Sequence, residues 1–245
     1  MDLLSELDHS AYHQAQKTFK IFVRELSWER RRIIKTLDLA IVKISLRTYK
    51  SGSFPAYEYL WVKDFYFDGE NVQGTLLNDP KWAKNYERGQ KVFTQLSQVS
   101  DWMFATNGKA YGGFSIQNTR KRMTQAERSK HDRAWHLDFG DPTEPKLSYI
   151  DHSSEEDLLC NEHPMCRDMG KNFKEYLSRS KDLLNYKDRV GNSLLHIEAL
   201  AGNGLIVKTL KEHGANIHLQ NNFGQRPLDM ARIFDWHNVI EVLEN

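Results

Sequence analysis

Residues Asp188–Asn216 read DRVGNSLLHIEALAGNGLIVKTLKEHGAN, and residues Asn221–Leu243 read NNFGQRPLDMARIFDWHNVIEVL. The second stretch repeats the first at a period of 33 residues, which carries Gly191 onto Gly224, Leu195 onto Leu228 and His196 onto Asp229. A fixed period of that length marks a repeat architecture, in which each unit buries its apolar face only by stacking on a neighbour. Pro227 has no N–H to lose and suits the first turn of a helix. Gly202 and Gly204 punctuate a join between two helices. Leu205, Ile206, Val207 and Leu210 have the spacing of a helix buried along one side. Gly214 supplies the left-handed residue that ends it. The expectation is a stack of helical hairpins.

This pattern resembles the ankyrin repeat, whose signature runs from a glycine turn through T-P-L-H-x-A to a G-A-D/N turn. Here Ser193-Leu194-Leu195-His196 and Arg226-Pro227-Leu228-Asp229 stand at the T-P-L-H positions. The resemblance implies a protein-binding scaffold rather than a catalyst. Two repeats are too few, since about three are needed for stability. The preceding segment HPMCRDMGKNFKEYLSRSKDLLN, with Phe173, Tyr176 and Leu177 on one helical stripe, is expected to act as a degenerate cap. The expected core is Phe173, Leu195, Leu205, Val207, Leu210, Leu228, Ile240 and Leu243.

Upstream the periodicity changes. Tyr12, Ala15, Phe19, Phe22, Val23, Leu26, Arg30 and Ile33 recur at spacings of three and four, predicting one long helix over 12–34. Arg30-Arg31-Arg32 is read as its solvated end, where cations favour the helix dipole and Glu25 and Glu29 can pair with them. Strands are predicted at Ile41–Leu46, Glu58–Phe65, Val72–Leu77, Lys91–Leu96, Trp102–Ala105 and Lys109–Phe114. Asn107-Gly108 is a strong hairpin signal between the last two. A polar helix over Asn118–Arg128 follows. The fold class read from this order is an α+β N-terminal domain, a long helix plus an antiparallel sheet, followed by an all-α ankyrin-repeat domain. The expected boundaries are 1–140 for the first domain, 141–159 for a polar linker with Pro142 and Pro145, and 160–245 for the repeats.

Within the first domain, Glu58 and Trp61, then Gly74, Asn78 and Pro80, then Gly89, then Asp101-Trp102-Met103 and Gly112-Gly113, follow one pattern. It resembles that of the uncharacterised bacterial YegJ-like family, over roughly residues 38 to 125. The resemblance implies fold more than function. Physically, Trp102 buries a large apolar area. Asp101 and Asn78 have side chains suited to bonding turn backbone.

The chain carries 34 Lys and Arg against 33 Asp and Glu. That balance gives no reason to expect a nucleic-acid partner. No apolar run approaches the roughly 20 residues of a membrane helix. The acidic, polar start MDLLSELDHS is unlike a signal peptide. Cys160 and Cys166 are too few for a disulfide framework. A cytoplasmic protein without membrane association is expected.

Cys160, His163 and Cys166 form C-x2-H-x2-C, with His152 or Asp157 available as a fourth ligand. Pro164 opens a helix there, however, which makes Cys166 a small core hydrophobe facing the repeats. His9 and His13 lie one helical turn apart without the glutamate a metalloprotease requires, and Ser10 looks like a helix cap beside them. His131, Trp135, His136 and Asp138 fall in a loop or edge strand, where a His–Asp pair could serve as a general base. No nucleophile motif or glycine-rich phosphate loop accompanies them. No cofactor, no metal and no enzymatic activity are expected.

A non-catalytic protein-binding role follows from the repeat reading. The tips map to Lys187, Arg189, Val190, Gln220, Asn222 and Phe223, and the concave face to Glu198, Asn203, Arg232 and Trp236. The alternative for Phe223 and Trp236 is that they close the core at the chain end. The partner is expected to be another protein, a toxin or effector, so that the chain is a bacterial immunity protein neutralising it. That inference rests on the style of such families and on no residue. The alternatives are a stress or housekeeping adaptor, and a hydrolase with its site near His131 and His136.

Overall fold

The computed structural model describes residues 6–48, 56–150 and 154–245. The chain divides into two compact units, Met1–Asp151 and His152–Asn245.

The first unit begins with helix α1 (Glu6–Arg31), followed by strands β1 (Leu39–Arg47), β2 (Tyr57–Phe67), β3 (Asn71–Leu76), β4 (Lys91–Gln95), β5 (Val99–Thr106) and β6 (Lys109–Gly112). They form one antiparallel sheet in the order β4-β3-β2-β1-β5-β6. The unit is α+β. The β5–β6 hairpin turns at Asn107 (φ 50°) and Gly108 (φ 69°), both left-handed as a two-residue turn requires. Helix α1 covers one face: Trp102 donates its indole N–H to Ala15 O at 3.2 Å, and Phe22 packs 6.0 Å from its ring. On the opposite face Ile41, Trp61 and Met103 gather Ile116 and Phe139.

Helix α1 starts earlier than periodicity indicates, so Ser10 lies inside it rather than capping it. It also ends earlier, which leaves Ile33 fully exposed. Arg24 and Glu25 are buried, because α1 packs against both β5 and a second helix. Arg30 donates to Phe65 O at 2.7 Å, and Arg31 lies over the Trp28 ring at 4.6 Å. The arginine run is thus tied to its own unit.

The single helix expected over 118–128 is two: α2 (Phe114–Lys121) and α3 (Gln125–Trp135). Thr124 breaks it. Its hydroxyl accepts from Glu127 N while Glu127 accepts from Thr124 N at 2.7 Å, a capping box that starts a new helix. Within the expected linker, residues 146–149 are packed into the first unit. Leu147 and Ser148 are buried, Gly112 N donates to Lys146 O at 2.8 Å, and the Tyr149 hydroxyl donates to Glu25 at 3.0 Å while accepting from Arg32 at 2.7 Å. Two prolines in a polar segment do not prevent packing when buried apolar side chains and backbone bonds tie it down.

The second unit runs through α4 (Glu155–Cys160), α5 (Pro164–Arg179), a 3-10 turn at Asp182–Asn185, α6 (Leu194–Leu200), α7 (Gly204–Glu212), α8 (Pro227–Ile233) and α9 (His237–Glu244). Helices α6 and α7 repeat in α8 and α9 at the 33-residue period. Leu195, Val207, Leu210 and Leu243 are buried, as expected; Phe173, Leu228 and Ile240 are half-buried. Leu205 is 41% exposed instead. The buried side of α7 begins one residue later, at Ile206, and continues through Val207 and Leu210. Glu162, ahead of α5, accepts from Leu205 N at 3.2 Å and from the Asn238 amide at 3.1 Å, which binds the preceding segment to both hairpins.

Candidate protein-binding edge

The repeat period places an Asx residue at the base of each connecting tip, Asp188 in one and Asn221 in the next. Asp188 Oδ1 accepts from Val190 N at 3.0 Å and Asn192 N at 2.8 Å. Asn221 Oδ1 accepts from Phe223 N at 3.0 Å and Gln225 N at 2.9 Å. Gly191 (φ 79°) and Gly224 (φ 76°) complete matching turns. The tips are also bonded to each other. Asn221 Nδ2 donates to Asn192 Oδ1 at 2.9 Å, and Asn222 N donates to Val190 O at 2.9 Å.

Each tip leads into a capped helix. Ser193 N donates to His196 Nδ1 at 3.1 Å, and Arg226 N donates to Asp229 Oδ2 at 2.8 Å. The other imidazole nitrogen, His196 Nε2, meets Gln225 O at 3.0 Å. One nitrogen accepts and the other must donate, so the imidazole is neutral with its proton on Nε2. Burial holds its pKa below the usual histidine value, which favours that form.

This scaffold fixes a row of outward side chains. Lys187, Arg189, Gln220 and Asn222 are exposed, Val190 is half-buried, and Phe223 stands 41% exposed. Arg232 is exposed as well and pairs with Glu244 at 2.7 Å. Three residues expected on a concave face are interior instead. Glu198 is buried and accepts from Asn203 Nδ2 at 2.8 Å, with Asn203 wholly buried at the start of α7. Trp236 is buried, its indole N–H donated to Leu200 O at 3.0 Å. Polar residue type suggests surface, but the Asn203 amide and the Glu198 carboxylate are paired with each other in the interior, which is what lets both be buried.

The other candidate sites do not assemble. His163 caps α5 by accepting from Met165 N at 3.1 Å, Cys166 is buried, and Cys160 is exposed. His152 lies outside the described residues. Among the described residues no group of three His, Cys, Asp or Glu side chains is arranged to hold a metal. His131 and Trp135 lie on α3, not in a loop, and His136 ends it in the left-handed conformation (φ 54°). His131 Nδ1 meets Asp132 at 2.9 Å, but Asp132 is committed to Arg120 through two bonds of 3.0 and 2.7 Å. Asp138 accepts from Gly140 N at 2.9 Å.

The motif residues of the first unit serve the fold. Glu58 accepts three loop N–H groups, from Lys81, Trp82 and Ala83, at 2.7 Å each. Asn78 accepts from Trp61 N at 3.0 Å. Asp101 is buried and caps α2 through Phe114 N at 3.1 Å and Ser115 N at 2.8 Å. A Cβ on Gly112 would fall 2.5 Å from Trp102 O. Sequence reading missed Lys43, which reaches the Asp101-bonded Ser115 hydroxyl at 3.1 Å. No local signal joins residues so distant in the chain.

Residues 6–139 match the family described as an uncharacterised protein conserved in bacteria, DUF2314. The chain is 44% identical over 235 residues to a Neisseria meningitidis serogroup B protein named for ankyrin repeats, covering 96% of this chain and 91% of that one. It is 34% identical over 59 residues to the uncharacterised protein YegJ of Escherichia coli, covering 24% of this chain and 39% of that one. By the family match over residues 6–139, more than half of its length, the chain belongs to the bacterial DUF2314 family.

Proposed function

We propose that this chain is a non-catalytic protein-binding protein whose second unit is an all-α ankyrin stack, carrying the contact surface on its tips. The observation that carries this reading is the tip pair. Asp188 and Asn221 build the same turn 33 residues apart, and a ladder of buried amides locks the turns together beneath exposed Arg189, Asn222 and Phe223. A rigid edge presenting an aromatic beside cations has the composition of an interaction hot spot, at low entropic cost of ordering. The name of the Neisseria relative supports the same reading.

The finer reading makes the partner a toxin or effector, with the protein as its cytoplasmic antagonist. A photoactivatable residue at position 222 should crosslink to a partner in the native cell, and Phe223→Ala with Arg189→Glu should abolish recovery of that partner. Recovery unchanged in the double variant would sink the tip surface as the binding site. Rescue of growth by this chain when the recovered partner is expressed alone would establish antagonism, and no rescue would remove it.

A further inference from the structure

Helix α1 covers one face of the sheet. On the other, Ile116 and Phe139 pack over Ile41, Trp61 and Met103, while the aromatic side chains toward β4 stand out in solvent. Strand register sorts this exposed part into rows. Tyr66, Gln73 and Phe93 form one row across β2, β3 and β4; Lys63, Thr75 and Lys91 form the next. Further along β2, Tyr59 sits beside Ser45 and Tyr57 beside Arg47. Phe93 is 69% exposed and Tyr59 40%.

A bulge makes the arrangement. The β2–β3 register shifts between Lys63 and Tyr66, and Asp64 there has φ 54°. The extra residue turns Phe65 into the α1 core, 5.5 Å from Phe22, and Tyr66 out beside Gln73. Regular alternation would have exchanged them.

The charge on this face is one-sided. Among the described residues its exposed alternating positions on β1 to β4 carry Arg47, Lys63 and Lys91 and no carboxylate; Glu58 falls on the other alternation, Asp64 sits in the bulge, and Lys43 faces the buried Asp101. The chain's near-zero net charge averages this patch away. Aromatic faces interleaved with exposed cations are what stacked bases and their phosphates require. Successive rows lie about 7 Å apart along a strand, a spacing suited to an extended polynucleotide.

We infer that this half-sheet binds single-stranded nucleic acid, stacking bases on Phe93 and Tyr59 and meeting phosphates with Lys63, Lys91 and Arg47; Tyr66 between them already carries the Arg30 guanidinium over its ring at 5.4 Å. The site lies in the first unit and is independent of the tip surface. The test is fluorescence anisotropy of the full chain with labelled eight-nucleotide oligouridylate and oligothymidylate, against a blunt duplex and polyglutamate. Single strands should bind more tightly than either control. Phe93→Ala, at an exposed position that leaves the circular dichroism melt unchanged, should weaken binding about tenfold. Lys63→Ala with Lys91→Ala should lower the slope of log K against log salt by about 1.4. Absence of single-strand binding at low salt overturns the inference. So does equal binding of polyglutamate, which would point to a polyanion or acidic-protein surface, or affinity unchanged in Phe93→Ala.

Discussion

The Trp236 indole lies against the backbone of Gly202, 34 residues earlier, and donates its N–H to Leu200 O at 3.0 Å. A Cβ on Gly202 would come within 2.7 Å of Cε3 and nearer still to the ring-fusion carbons. Gly202 is also left-handed, at φ 74°. Its counterpart one period on, Asp235, keeps that conformation at φ 51° with a side chain in place. The two hairpins thus share a backbone plan, and only the inner one must be glycine for reasons of space.

Gly202→Ala should destabilise the protein by about 2–4 kcal/mol, combining left-handed strain with overpacking against the indole. Gly214→Ala, at φ 92° with nothing near the added Cβ, should lose about 1 kcal/mol. Urea midpoints of the two variants separate these contributions. Equal losses would mean that the ring moves aside.

Asn221→Ala removes the acceptor for two tip N–H groups and the donor to Asn192 at once. A loss of about 2–3 kcal/mol is expected, because buried partners are left unsatisfied. Asn222→Ala, whose side chain is exposed, should fall within about 0.5 kcal/mol of the parent. Thermal denaturation of both variants checks the contrast.

His196 gives this unit a pH dependence. Its folded pKa lies below the usual histidine value of about 6.5 because burial disfavours the imidazolium. As pH falls through 6.5, the unfolded chain takes up a proton that the folded one resists, so this histidine costs stability on acidification until its folded pKa is passed. The urea midpoint should therefore drop between pH 7.5 and 5.5. His196→Gln should be less stable at pH 7.5 and change less over that interval. A parallel drop in the variant would assign the dependence to other groups.

The two cysteines should differ in reactivity. Cys160 is exposed, whereas burial, with Glu162 adding to it, pushes the Cys166 thiol up. Titration with a disulfide reagent should find one fast thiol in the native protein and the second only in denaturant. Protein incubated with zinc and then dialysed should retain none, and chelation should leave the melting temperature unchanged. Stoichiometric zinc lost in Cys166→Ser would revive the C-x2-H-x2-C cluster.

Local chemistry by itself determined the 33-residue repeat, the hairpin at Asn107-Gly108, the positions of the six strands and the helix opened by Pro227, because each is written in neighbouring residues: a turn type, an alternation or a cap. The T-x-x-E box that splits α2 from α3 was equally local and was overlooked among polar residues. Tertiary structure decided which polar residues face inward. Glu198 and Asn203 have surface-type side chains, yet both can be interior because they are paired with each other there. Trp236 is interior because Gly202 leaves room for its ring. The bulge at Asp64 likewise depends on pairing with β3, and it alone turns Tyr66 toward solvent and Phe65 toward α1. Burial and strand register are sums over contacts distant in the chain, so composition and spacing do not contain them.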